Sequence, residues 1–138
     1  MLQLVVIVIL MASCSVNTSD EKLQIGAKYK ITKPLYIEGT YNSLNDRRLS
    51  PETARAYITS VKHARRSEVI FQVMLPVGLI LTIVSPPERV LHIPYIVDTY
   101  IVELTPDLSQ GLDVVFSLDP VFVGDMDGLN SQIFERAQ

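Results

Sequence analysis

Residues 69–84 read VIFQVMLPVGLILTIV, and this stretch decides the fold that we expect. The 16 residues are nearly all apolar, but a membrane-spanning helix needs roughly 20, and Pro76 and Gly78 interrupt the run. β-branched side chains dominate it, which favours extended chain over helix. We therefore predict two buried strands joined by a turn at residues 75–78.

Further strands are predicted on both sides of this pair. Apolar and polar residues alternate over 23–32 and again over 112–119, which is the pattern of half-buried strands. Residues 95–104 (YIVDTYIVEL) are rich in β-branched and aromatic side chains, so we expect a strand there too. Residues 105–111 would join the last two strands as a wide hairpin, and residues 35–37 would form a short edge strand.

Two helices complete the prediction. The longer one spans residues 50–65, where Ser50 would cap the first turn and Pro51 suits the first helical position. Its apolar face would follow a helical spacing. The residues of this face are Ala54, Tyr57, Ile58 and Val61. A short C-terminal helix is predicted at residues 129–136.

These elements together predict a small α+β domain over residues 23–138. Strands that follow one another without helices between them favour mostly antiparallel pairing. The sheet would be open, or it would form a partly open barrel with the main helix at one end. Pro76 and Gly78 followed by an apolar strand are similar to a feature of SH3-like barrels in bacterial envelope proteins. The chain length of 138 residues fits one domain.

The beginning of the chain has the pattern of a secretory signal peptide. Residues 1–12 read MLQLVVIVILMA, about half the length of a membrane-spanning helix. Ala12 and Ser13 are the small residues that close such a segment, and Cys14 follows them directly. We predict that residues 1–13 are removed.

Met11-Ala12-Ser13-Cys14 resembles the lipobox of bacterial lipoproteins. The resemblance implies that a diacylglyceryl group is attached to the thiol of Cys14 and that cleavage leaves Cys14 as the first residue. Its amino group would be acylated as well, with palmitate as an expected fatty acid. Several acyl chains on one residue would anchor the protein stably to a membrane. An ordinary cleaved signal peptide, or an uncleaved anchor, with an incidental cysteine is the alternative.

Residues 14–22 would then form a lipidated tether. The eight residues after Cys14 (SVNTSDEK) are small or polar, and at about 3.5 Å each they span at most roughly 28 Å. The domain should therefore lie close to the bilayer. By the sorting rule of this lipoprotein family, a residue other than Asp at Ser15 implies the periplasmic face of the outer membrane.

The sequence contains no arrangement of residues that we expect to be catalytic. Its one cysteine lies ahead of the domain, and no Gly-x-Ser-x-Gly motif is present. His63 is expected in solvent at the end of the main helix, and His92 in a buried or edge position. We predict neither an enzyme nor a cofactor. Three carboxylates lie close together near the C-terminus, where a capped, solvated loop and an irregular calcium site both remain open. They are Asp119, Asp125 and Asp127.

The charge distribution points to a partner. A net charge of −3 argues against nucleic-acid binding, yet basic residues cluster between positions 47 and 66. They are Arg47, Arg48, Arg55, Lys62, Arg65 and Arg66. They would contact an envelope protein or an anionic surface, unless they pair with the acidic residues that prevail from residue 98 onward.

We therefore expect a membrane-anchored envelope lipoprotein that acts as a structural or protein-interaction module. A binding module for a small hydrophobic or anionic ligand is the alternative. A cavity lined by four apolar side chains would support a hydrophobic ligand. These are Phe71, Met74, Leu79 and Leu81.

Overall fold

A computed structural model describes residues 23–92, 94–119 and 129–137, and every regular element in these ranges is a β-strand. The nine strands are β1 (Lys28–Ile31), β2 (Leu35–Tyr41), β3 (Ala54–Thr59), β4 (Val69–Leu75), β5 (Ile80–Ile83), β6 (Glu88–His92), β7 (Tyr95–Thr105), β8 (Val114–Ser117) and β9 (Phe134–Ala137). They form one mixed sheet in the order β4-β2-β3-β8-β7-β5-β1-β9, and β6 pairs with β7. The β3–β8 pair is parallel, and the other pairs found in these ranges are antiparallel.

The predicted α+β class is wrong, because the main helix at residues 50–65 does not form. A single turn follows Ser50, where Thr53 and Ala54 both donate backbone hydrogen bonds to the Ser50 carbonyl. Strand β3 then begins, with Ala56 and Ile58 buried and Arg55 exposed. Of the residues that suggested a helical face, Ala54 and Ile58 also fit the strand period of two, whereas Tyr57 points to the opposite side of the strand. Pairing with β2 and β8, both distant in sequence, decides between the two periods.

The short C-terminal helix is wrong as well. Residues 131–133 form a turn, and the chain continues as β9, which pairs antiparallel with β1. Phe134 is buried and meets the Phe116 ring edge to face at 5.3 Å between centroids. This pairing across about a hundred residues of sequence is a tertiary effect that outweighs local helix propensity.

Several of the predicted strands are confirmed, although the sheet is larger than expected. Strands β4, β5, β7 and β8 lie where the sequence predicts them. Strand β2 is longer than predicted and pairs on both sides, so it is not an edge strand. Strand β6 was missed. Nine strands and no covering helix in the described ranges replace the predicted SH3-like barrel.

The sheet curls around its core. Strands β1 and β2 are five positions apart in the sheet order, which is roughly 24 Å in a flat sheet at ~4.8 Å per step. Only residues 32–34 join them, and four Cα steps span at most about 14 Å. Leu75 in β4 and Phe134 in β9 accordingly belong to the same core cluster, although their strands end the sheet order on opposite sides.

Leu23, the first described residue, contacts the side chain of a residue in the middle of β7. The backbone N–H of Leu23 donates to the Tyr100 hydroxyl at 3.1 Å. The Tyr100 side chain lies in the core, and this burial is the main cause that raises the pKa of its phenol. The predicted tether therefore ends at a fixed point of the sheet.

Candidate functional site

Residues 60–68 connect β3 to β4, and we call them the basic loop because they include Lys62, Arg65 and Arg66. The loop lies against the outer face of the sheet, which is the face turned away from the core. The Gln72 side-chain amide donates to the His63 carbonyl at 2.9 Å. Farther along, the Tyr41 backbone N–H donates to the Glu68 carbonyl at 2.9 Å. Half of the six predicted basic residues therefore belong to a loop that is bonded to the sheet.

Strand register explains which side chains meet this loop. Ile37 and Ile58 oppose each other and both face the core. Because side chains alternate along a strand, the following residue in β2, Glu38, faces outward. Glu38 lies opposite Tyr57 on one side and opposite Gln72 on the other. One cross-strand row therefore brings a carboxylate and an amide together beneath the loop.

Glu38 is the central group of the site. It is only 5% exposed, although it lies on the outer face. The Arg66 guanidinium donates to its Oε1 at 3.1 Å, and the Gln72 amide donates to its Oε2 at 2.7 Å. His63 places Nδ1 3.8 Å from the same Oε2. The two carboxylate oxygens are thus occupied by different elements, the loop and the neighbouring strand.

These contacts fasten the loop to the sheet. A buried carboxylate without partners costs several kcal/mol, whereas one with charged and hydrogen-bonding partners is tolerated. Arg66 supplies the charge, and its Nε also lies 3.0 Å from Glu68 Oε1 at the end of the loop. Arg66 therefore bridges one carboxylate of the sheet and one of the loop, and its loss would leave Glu38 buried with uncompensated charge.

A cleft of about 640 Å³ opens beside the loop. Lys62, Arg65 and His63 line it together with Ile70 and Phe71 of β4. Lys62 and Arg65 are exposed, and neither has an ion-pair partner within residues 23–92, 94–119 and 129–137. Two free cations beside an apolar wall favour an acidic surface that also carries apolar side chains.

A second cleft of about 390 Å³ lies over Glu38 itself. Tyr57 and His63 line it together with Thr40 and Thr59. Two carboxylates of this lining, Glu38 and Glu68, share the Arg66 guanidinium. His63, which the sequence places in solvent, is half-buried between the two clefts.

The structure does not gather all six predicted basic residues into one surface. Lys62, Arg65 and Arg66 share the basic loop, but Arg47 and Arg48 belong to the connection at the opposite end of β3. Arg55, which lies in β3 itself, lines a different cleft near the Pro86–Pro87 segment. Residues 54–59 form an extended strand instead of the predicted helix, so the basic residues that precede and follow this strand lie at its opposite ends.

Arg48 is already neutralised by a neighbour. Its guanidinium donates to both carboxylate oxygens of Asp46, at 2.9 and 2.7 Å. These hydrogen bonds lower the pKa of Asp46 and raise that of Arg48. Within the described residues, the ion pairs of Arg48 and Arg66 therefore involve Asp46, Glu38 and Glu68, and not the acidic residues that follow position 98.

The four side chains proposed to line an apolar cavity do not enclose one space. Leu79 and Leu81 are buried in the core, whereas Met74 is exposed on the outer face of β4. Phe71 packs against the core and lies across Gly39, where a Cβ would approach its Cδ1 to 2.7 Å. The core at this point is filled by side chains.

Other predicted site residues fall elsewhere. Cys14, Asp125 and Asp127 lie outside the described residues, while Asp119 is buried and its backbone N–H donates to Ser117 Oγ at 3.3 Å. Within the described ranges, no three His, Cys, Asp or Glu side chains are grouped to hold a metal ion. None of the described segments forms a helix long and apolar enough to cross a membrane.

Sequence reasoning missed Glu38 and Gln72. Gln72 could have indicated a polar contact, because it is the only polar side chain in residues 69–75 of an apolar run. Glu38 likewise follows three apolar residues at the start of β2. Their separation of 34 positions hides the pairing until the strand register is known. No known protein family, curated protein or solved structure matches this chain.

Proposed function

We propose that this protein is a bacterial lipoprotein, anchored to the cell envelope through Cys14, whose β domain docks onto an acidic envelope protein through the basic loop. The lipobox resemblance of residues 11–14 supports the anchoring. The observation that carries the docking role is the clamp of Glu38, Arg66 and Gln72, which holds the loop on the outer face.

The clamp favours binding because it prepares the loop for a partner. Ordering a flexible loop on association costs free energy, and a loop that is already ordered avoids most of that cost. Here Arg66 is used for the clamp, so Lys62 and Arg65 remain available. Val61 is exposed at the start of the same loop and adds an apolar contact.

The chemistry of the partner follows from the cleft. Lys62 and Arg65 offer two cations, and Ile70 and Phe71 offer an apolar wall. An acidic segment with one apolar side chain between its carboxylates would match both features. Arginine at such a site gives directional hydrogen bonds to carboxylates, while lysine acts as a compact charge.

The test is photo-crosslinking in intact cells of the native host. A photoreactive amino acid replaces Ala64, which is exposed between Lys62 and Arg65, and in a control replaces Val77, in the turn between β4 and β5. We expect a discrete adduct from position 64 and none of the same size from position 77. Adding Lys62→Glu and Arg65→Glu should abolish it.

A matched charge reversal separates specific docking from net charge. Lys30 and Lys33 are also exposed, and Lys30→Glu with Lys33→Glu changes the net charge equally outside the basic loop. This variant should keep the adduct. If both charge reversals remove the adduct equally, or if no adduct forms at position 64, the docking role is wrong.

A small anionic ligand in the same cleft is the second candidate function, because Lys62 and Arg65 face it. The crosslinking experiment distinguishes the two roles, since a small ligand yields no adduct of protein size. Inorganic phosphate would then raise the melting temperature of the parent protein, and Lys62→Glu with Arg65→Glu would remove that shift.

A further inference from the structure

The β6–β7 hairpin extends beyond the rest of the described sheet. Its register runs from Glu88 opposite Thr99 to His92 opposite Tyr95. Strand β8 reaches Thr99 in the β7 register and stops there. The Leu118 N–H beyond β8 still donates to the Asp98 carbonyl, so three residues of β7 project past the described part of the sheet, which is roughly 10 Å at ~3.3 Å per residue.

The projecting part of the hairpin carries an exposed apolar pair. Leu91 and Ile96 lie directly opposite each other and are 65% and 63% exposed. Ile96 and Tyr100 are four residues apart in β7, so their side chains point to the same side of the strand, and Tyr100 is buried in the core. The apolar face of β7 thus continues past the end of the core, where no side chain in the described ranges covers these two residues.

A charged pair borders the apolar pair. Arg89 opposes Asp98 one step closer to the core, with Nε 3.6 Å from Oδ1. Each of these residues is two positions from Leu91 or Ile96 in its strand, so all four side chains lie on the same face of the hairpin. An apolar tip followed by a cation on a flexible stem is an arrangement suited to a lipid interface.

The predicted tether ends at the same end of the sheet. Lys28 lies opposite Thr82, and Thr82 lies opposite Glu103, so β1 and β7 run in the same direction. Residues before Lys28 therefore head toward the beginning of β7, and the Leu23 N–H reaches the Tyr100 hydroxyl. The hairpin projects from this end of β7.

We propose that the β6–β7 hairpin inserts Leu91 and Ile96 into the interfacial layer of the bilayer that holds the lipidated Cys14. This inference rests on the proposed lipid anchoring. The lengths are comparable, because a flexible chain of eight residues, the number between Cys14 and Leu23, would average roughly 16 Å, against the ~10 Å by which the hairpin projects. The insertion would give the domain a second attachment and fix which side faces the membrane.

The test uses a single tryptophan as a depth probe, since the chain has no Trp of its own. Full-length protein carrying Leu91→Trp is purified from the native host and placed in vesicles of phosphatidylethanolamine and phosphatidylglycerol with brominated acyl chains. Bromine quenches tryptophan only at contact range. The control carries Val77→Trp, which is 57% exposed in the turn at the other end of β5.

We expect quenching of the Leu91→Trp protein several times larger than that of the Val77→Trp protein, with a blue-shifted emission. Equal or absent quenching in protein that carries lipid and sediments with vesicles would overturn the insertion while leaving the anchoring intact. Protein without lipid that stays in the supernatant would overturn both proposals. A blue shift that grows with protein concentration without vesicles would assign the apolar pair to a second copy of the chain instead.

Discussion

Replacing Glu38 by glutamine should release the basic loop while leaving the sheet folded. The change keeps the side-chain shape but removes the charge that binds Arg66 at 3.1 Å. A hydrogen bond to a charged group contributes about 1.5–3 kcal/mol when buried. Arg66 is 55% exposed and retains Glu68 at 3.0 Å, so we discount this contribution to about 1–2 kcal/mol.

A loss of this size is measurable by limited trypsin digestion. Trypsin cleaves after Lys62, Arg65 and Arg66, and cleavage requires the loop to leave the sheet. When opening is fast relative to cleavage, the rate follows the open population. A loss of about 1–2 kcal/mol therefore raises cleavage in the loop roughly 5–30-fold. Mass spectrometry of the peptides measures each site separately.

The same digest contains its own control. Cleavage after Arg47 and Arg48 reports the connection before β3, which Glu38 does not contact in the described structure. Those sites should change little, and so should the loop sites in Glu68→Gln, which removes the other partner of Arg66 without touching the sheet. Unchanged loop cleavage in Glu38→Gln would refute the clamp, and an equal rise at all sites would show general destabilisation instead.

Three further predictions follow from the packing and the ionisable groups. Gly39→Ala should lower the free energy of unfolding by about 1–3 kcal/mol in urea, because the new Cβ would overlap the Phe71 ring, and adding Phe71→Leu should recover part of the loss; additive losses would contradict the contact. Tyr100→Phe should cost about 1 kcal/mol at pH 8 through the lost Leu23 bond. Burial raises the pKa of Tyr100 in the folded protein. The stabilisation by this phenol is therefore complete below about pH 10, the pKa of an unfolded tyrosine, and is lost as pH rises through the pKa of the folded state. Urea midpoints of the parent should fall more steeply above about pH 10 than those of Tyr100→Phe, and parallel curves would contradict this. Asp46→Asn should leave the urea midpoint at pH 7 unchanged, because its pair with Arg48 is exposed; a clear decrease would mean that this connection supports the sheet.

Local pattern was enough to predict a strand within residues 112–119, where β8 forms. The pattern predicted one buried face, whereas all four residues of β8 (Val114–Ser117) are buried. Pattern failed at residues 54–61, where Ala54 and Ile58 satisfy both a helical spacing and a strand spacing. Only the distant partners β2 and β8 select the strand.

The candidate site was partly visible in the sequence. Lys62, Arg65 and Arg66 were recognised by their charge, which needs no three-dimensional information. Glu38 and Gln72 were not, because a lone polar residue in a strand gains meaning only when the register places a partner opposite it. The apolar pair Leu91 and Ile96 has the same difficulty, since β6 itself was not predicted.

The anchoring proposal can be tested directly by intact-mass spectrometry of protein extracted with detergent from native membranes. We expect a chain that begins at Cys14, lacks residues 1–13 and carries the added mass of a diacylglyceryl group, with or without a further acyl chain. Cys14→Ala should abolish the modification and move the protein to the soluble fraction. A native protein that begins at Met1, or one that begins near residue 14 without lipid, would show that the protein is not anchored through Cys14.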